Sequence, residues 1–222
     1  MAMLYSRGRG LALVDWALLA RFHVQGREAV PPKGPLIVAA NHLSNADPPV
    51  LVAAIPRKLH FVGKRSLFSN PISKAFFQHV GVYPTDRDGR DTSALVWMLS
   101  LLERDQVVVI FPEGTRSKEG ALKQARPGVA FVALKSGAPI LPVAITGTEK
   151  IRGFWRIALP LCAFQVKIGE PFTLPPMEGE PSREVLQSLS DMIMQRVAAL
   201  LPERYRGYYG SPSTLRSGGR PR

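Results

Sequence analysis

Short apolar runs and amphipathic stretches alternate along most of the chain. Phe22–Gln25, Pro35–Ala40, His60–Gly63, Gln106–Ile110, Pro139–Ile145 and Phe164–Ile168 are brief, and Gln106–Ile110 is a β-branched run. Each reads as a strand, and Gln106–Ile110 and Pro139–Ile145 read as buried ones. Gly81–Arg87 reads as a further strand that runs into a polar loop. Between them lie stretches with helical spacing. Val50–Ile55 follows Asp47-Pro48, a good N-cap and first helical position. Lys64–Phe68 and Asn70–His79 read as two helical pieces. After Asp91, Leu95, Met98, Leu99 and Leu102 share one face. Pro127–Lys135 is a helix ended by Gly137. In Ser182–Leu200 the apolar face is Leu186, Leu189, Ile193, Val197 and Leu200. Strand–helix alternation of this kind predicts an α/β fold with a mostly parallel central sheet flanked by helices.

The two ends read differently. Leu4–Phe22 is a short amphipathic helix with Leu11, Val14, Leu18 and Phe22 in phase and Trp16 nearby. It either packs on the core or lies at a membrane interface with its arginines at headgroup level. From Glu203 onward Gly, Ser, Pro and Arg dominate, and the stretch is expected to be a disordered basic tail. The predicted organisation is therefore 1–22 helix, 23–202 domain and 203–222 tail.

Charge narrows the partners. The chain has 222 residues, long enough for a sizeable core, with 29 Lys and Arg against 17 Asp and Glu, a net charge of +12. Such an excess favours an anionic partner: a membrane surface, a phosphorylated substrate or nucleic acid. Nucleic acid is the weakest of these, since no zinc finger, RNP motif or basic zipper is present. Cys162 is the only cysteine, so no internal disulfide is possible, and its apolar setting marks it as a small hydrophobe. No apolar run approaches the ~20 residues of a membrane-spanning helix, and no secretory signal is expected. His23, His60 and His79 are scattered without ligand spacing, so neither a metal nor a cofactor is expected.

Two segments carry chemistry. Phe111-Pro-Glu-Gly-Thr-Arg-Ser117 follows the Gln106–Ile110 strand, and the carboxyl end of a strand is where open α/β sheets bind ligands. Arg116 can fork two phosphate oxygens, with Thr115, Ser117 and the Gly114 amide as further donors. The alternative is a solvated loop with a structural Arg–Glu pair. Asn41-His42-Leu43-Ser44-Asn45-Ala46-Asp47 follows the strand before it. A histidine held by a carboxylate is the usual neutral-pH general base, although such pairs are often only structural. No Gly-x-Ser-x-Gly elbow accompanies it. A base without a protein nucleophile points to direct activation of a substrate hydroxyl.

Asn41-His42-x-Ser44-x-x-Asp47 together with Phe111–Ser117 resembles the PlsC-type 1-acylglycerol-3-phosphate acyltransferases. Two further blocks fit: Phe61-Val-Gly-Lys64 with Gly81-x5-Arg87, and Ile140-Leu-Pro142-Val-Ala-Ile145. The likeness covers roughly residues 20 to 170. It implies transfer of a fatty acyl group from a thioester, acyl-CoA or acyl carrier protein, to the sn-2 hydroxyl of lysophosphatidic acid. His42 and Asp47 would be catalytic, with His42 the base and Asp47 its support. Arg87, Glu113, Gly114, Thr115 and Arg116 would hold the phosphate and glycerol. Glu113 is expected to accept from a glycerol hydroxyl or to position Arg116. Lys64 would add charge, and Pro142 would shape a pocket. The resemblance implies a peripheral protein on the cytoplasmic face of the cell membrane. Two alternatives stay open: another lysolipid or amino-lipid acceptor, and an inactive lipid-binding protein. The chain departs from the family in its single short helix before the first strand. It also has Arg126-Pro127-Gly128 where many relatives have Lys-Gly.

Overall fold

A computed structural model describes residues 21–71, 74, 75, 77, 81–85, 92–117, 119–151 and 162–210. The amphipathic helix expected before Arg21, the Arg87 position, Asp91 and the stretch after Gly210 lie outside these residues.

Seven strands among the described residues form one sheet. They are β1 (Phe22–Gln25), β2 (Leu36–Ala40), β3 (Leu59–Lys64), β4 (Val82–Thr85), β5 (Val107–Ile110), β6 (Ile140–Thr146) and β7 (Phe164–Ile168). Their order is β1-β7-β6-β2-β5-β3-β4, and every pairing is parallel except β6 with β7. β2 is buried along its whole length. Leu36, Val38 and Ala40 enter one cluster, while Ile37 and Ala39 enter another on the opposite face. This is why its sequence is an unbroken apolar run rather than an alternating one.

Helices cover both faces. α1 (Asp47–Ala54) packs Val50, Leu51 and Ala54 on the first face. The second is covered by α2 (Ser93–Leu102), α3 (Gly128–Ser136) and α4 (Arg183–Leu200), through Met98, Leu102, Val129, Val132, Ala133 and Ile193. Ser182 caps α4, its side chain accepting from Val185 N–H at 3.4 Å. The α/β expectation holds, and Gly137 ends α3 as expected, its N–H donating to Ala133.

The C-terminal expectation does not hold for the residues described. α5 (Glu203–Arg206) and a 3-10 turn over Gly207–Tyr209 fold back on the domain, and Tyr205 is buried. Their aromatic rings have a surface to cover, which the polar composition of the whole stretch conceals.

His60, at the start of β3, is buried with Nε2 unpartnered among the described residues. Burial, assisted by the nearby charge of Lys58, lowers its pKa from the ordinary 6.5, and Gln106 only partly opposes this. An unfolded chain therefore binds this proton more readily than the folded one. Stability is kept above pH 6.5 and falls as the pH drops below it. Urea unfolding midpoints are expected to decline on acidification through this range, and His60→Leu should flatten the decline. An unchanged slope in that variant would place the acid sensitivity elsewhere.

Candidate active site

β2 and β5 are hydrogen-bonded neighbours, with Ala39 opposite Ile110. The loops at their carboxyl ends therefore emerge side by side, although 71 positions separate His42 from Glu113 in the chain. This adjacency brings the two motif segments together.

At the end of β2 the side chain of Asn41 replaces the next ladder step. Its Nδ2 donates to the Ile145 carbonyl at 2.9 Å, and its Oδ1 accepts from the Ile145 N–H at 2.7 Å. The backbone is thus released to turn at His42. His42 Nδ1 lies 2.7 Å from Asp47 Oδ2. The same oxygen accepts from the N–H groups of Leu43 at 2.6 Å and Ser44 at 2.8 Å. Thr148 Oγ donates to Asp47 Oδ1 at 2.6 Å. The carboxylate is fully buried, so each of its partners offsets the loss of water. Asp47 is not the helix cap expected from its sequence position. It is the first residue of α1, the cap position is Ala46, and the side chain turns back into the loop.

The imidazole lies on Phe111, with ring centroids 4.1 Å apart and planes 17° from parallel. Its side chain remains 11% exposed, and among the described residues Nε2 has no hydrogen-bond partner. The ring is thus held by one nitrogen and one face, and the other nitrogen has no partner among the described residues.

Glu113 has a different place from the one expected. It is buried, with Oε1 accepting from the His42 N–H at 2.9 Å and Oε2 from the Lys123 N–H at 3.0 Å. It fastens three loop segments together rather than facing an open cleft. Burial pushes its carboxyl pKa up, against the pull of those two N–H donors. An amide would keep one acceptor and point an N–H at the other backbone donor. Glu113→Gln is therefore expected to lower kcat/KM by about tenfold or more through displacement of His42. Its thermal midpoint should move little, since the buried charge is also removed. Wild-type kinetics in this variant would show that the bridge does not set the site.

Gly114 has φ +69°, and its N–H donates to the Phe111 carbonyl at 2.9 Å. It is committed to the turn and is not an open phosphate donor. A Cβ here would lie 2.6 Å from Arg126 Nε, so the glycine is what lets a second guanidinium lie on the loop. Ser117 is also committed, its hydroxyl donating to the Ala121 carbonyl at 2.6 Å and its N–H to the His42 carbonyl at 2.8 Å. Thr115 and Arg116 are exposed. Among the described residues, no side chain pairs with the Arg116 guanidinium, and neither backbone N–H of the two has a partner. Lys64 is exposed at the carboxyl end of β3, opposite Thr85.

Pro142, expected to shape a pocket, is buried. It sits within β6, and its Cγ adjoins Gly169 beside Leu200, on the sheet face covered by α4. Its carbonyl accepts from the Gly169 N–H at 2.9 Å, one residue past the end of β7. Thr148, Phe111 as the floor of the imidazole, and Lys123 were not found from sequence. Thr148 is 101 positions from Asp47, and no local spacing announces such a contact. No group of three His, Cys, Asp or Glu side chains suited to a metal occurs among the described residues.

A family profile described as Acyltransferase matches residues 21–146. The 1-acyl-sn-glycerol-3-phosphate acyltransferase of Bacillus subtilis is 26% identical over 178 residues, covering 80% of this chain and 86% of that protein. Its counterpart in Streptococcus pneumoniae is 28% identical over 155 residues, covering 68% of this chain and 57% of that one. The crystal structure of the 1-acyl-sn-glycerophosphate acyltransferase PlsC from Thermotoga maritima superposes with a TM-score of 0.68 at 26% identity. The match covers 86% of this chain and 77% of that one.

Proposed function

The chain belongs to the acyltransferase family, and from that premise we propose that it moves a fatty acyl group from a thioester to the sn-2 hydroxyl of 1-acyl-sn-glycerol 3-phosphate, giving phosphatidic acid. The observation that carries the reading is the His42–Asp47 pair, 2.7 Å apart, in a loop whose backbone is bonded to Ser117, next to the exposed Arg116. The names of the Bacillus and Streptococcus relatives support the acceptor.

In this mechanism Nε2 of His42 takes the proton from the acceptor hydroxyl as its oxygen attacks the thioester carbonyl. Asp47 holds Nδ1–H and favours the imidazolium that forms. The tetrahedral intermediate collapses, the C–S bond breaks, and the imidazolium returns the proton to the departing thiolate. Arg116, with the hydroxyl of Thr115 and the backbone N–H groups of both residues, binds the acceptor phosphate. Lys64 and Arg126 add positive charge around it, and Arg87 is proposed to do the same. No cofactor enters the scheme, and the donor is either acyl-CoA or acyl carrier protein. No helix among the described residues is long and apolar enough to cross a membrane. Peripheral docking on the cytoplasmic leaflet, through the net charge of +12, is part of the same proposal.

The test is release of free thiol from acyl-CoA in an acceptor panel, with products read by mass. Release that requires lysophosphatidate, with phosphatidate formed, is expected. Preference for another lysolipid would replace the acceptor, and no release with any acceptor or donor would leave a lipid-binding protein. Arg116→Ala is expected to reduce kcat/KM for the phosphorylated acceptor by the equivalent of about 1.5–3 kcal/mol, chiefly through KM. An unchanged acceptor dependence would remove Arg116 from the phosphate site.

A further inference from the structure

The segment Pro202–Gly210 lies against both halves of the site. Its backbone pairs with that of Leu122, through Leu122 N–H to the Tyr205 carbonyl at 2.8 Å and Tyr208 N–H to the Leu122 carbonyl at 3.0 Å. Gly207 permits this approach: a Cβ there would lie 2.3 Å from the Leu122 carbonyl oxygen. Two tyrosines then reach further. Tyr209 hydroxyl donates to Asp191 on α4 and accepts from the Ala125 N–H at 2.8 Å. Gln187 Nε2 holds the Ala125 carbonyl at 2.8 Å from the same helix.

The stretch so gripped is the one that fastens the phosphate loop. Arg126 N–H donates to the Pro112 carbonyl at 2.8 Å, and Lys123 N–H donates to Glu113, which in turn holds the His42 N–H. On the other side, Tyr205 hydroxyl donates to Glu149 Oε1 at 2.8 Å. Glu149 is in the same 3-10 turn as Thr148, whose hydroxyl holds Asp47. Burial pushes both tyrosine pKa values up, so both hydroxyls keep their protons near neutral pH.

We propose that this C-terminal strap is a positioning element of the active site, with Tyr209 setting the phosphate loop and Tyr205 setting the Thr148–Asp47 support of His42. Neither tyrosine contacts the reacting atoms. The kinetic part of this inference rests on the acyltransferase reading above; the structural part does not.

The two arms have separable signatures. Tyr209→Phe is expected to raise the acceptor KM roughly fivefold with kcat little changed, and Tyr205→Phe to lower kcat roughly fivefold with KM little changed. Tyr208→Phe, altering a side chain that is 53% exposed, serves as the unaffected control. Hydrogen exchange on peptides spanning 41–47 and 113–126 supplies a readout independent of any acceptor. Faster exchange in 113–126 for Tyr209→Phe and in 41–47 for Tyr205→Phe, with the sheet peptides unchanged, is the expected result. Gly207→Ala should accelerate both by lifting the strap. Exchange confined to 203–210, or a uniform rise that tracks a fall in thermal midpoint, would overturn the proposal, as would wild-type KM and kcat in both variants. If the wild-type protein turns over no lysolipid, the functional reading fails and the exchange pattern alone decides the role of the strap.

Discussion

Replacing His42 by alanine is expected to reduce turnover by about 10²–10⁴-fold, the range of a lost general base. Folding should be little affected. The side chain contributes one hydrogen bond, to Asp47, and one stacked face, against Phe111. Its backbone links to Glu113 and Ser117 do not depend on the ring. Asp47 keeps Leu43 N–H, Ser44 N–H and Thr148 as partners in the variant. For a domain of this size a loss of about 1 kcal/mol moves the thermal midpoint by only ~2–4 °C. Thiol release and thermal denaturation measured on the same preparation separate the two effects. Turnover near wild type would remove His42 from the mechanism.

The second large effect concerns Asp47, where charge and scaffold can be pulled apart by choice of substitution. In Asp47→Asn the side-chain oxygen can still accept from His42, Leu43 and Ser44, while the amide nitrogen donates to Thr148 Oγ. The loop should keep its shape and the imidazolium should lose its counter-charge, lowering kcat by ~10²–10⁴-fold, as in other histidine–carboxylate sites. Asp47→Ala instead leaves two buried backbone N–H groups without an acceptor. That variant should lose ~2–5 kcal/mol of stability as well as activity. Urea denaturation of the pair should therefore separate widely while both are catalytically poor. Equal stability would mean that water replaces the carboxylate easily and that the pocket is more open than its burial implies.

The fold was legible because its signals are local. The unbroken apolar run at Leu36–Ala40 and the β-branched run at Val107–Ile110 can be buried only between two layers, and each strand was followed by a loop with turn residues. The contact between His42 and Asp47 was legible for the same reason: they are five positions apart. What was misread depends on distant backbone. A sequence shows that Glu113 stands three residues before Arg116. It does not show that the two carboxylate oxygens are already taken by the N–H groups of His42 and Lys123. Gly114 and Ser117 were likewise counted as open donors because their partners, Phe111 and Ala121 for one and the other, follow from turn geometry. Pro142 belongs to a recognised block, and its ring packs beside Leu200 of α4. At the C-terminus the average composition after Glu203 masked Tyr205 and Tyr209, each of which finds a carboxylate on an earlier element.

The single reversal of direction in the sheet settles where the chain enters it. Because β7 runs against β6, and β1 runs with β7, the first residues of β1 lie at the same end of the sheet as the last residues of β6, with the start of β7 between them. Arg21 accepts there from the Phe164 N–H, next to the turn that carries Thr148. Arg21, the first of the described residues, is consequently at the rim where His42 opens, not at the opposite rim. The opening of the domain and the loop that holds the imidazole are thus joined through one turn: Phe164, paired with Arg21, adjoins Gly147, and the hydroxyl of the next residue, Thr148, holds Asp47.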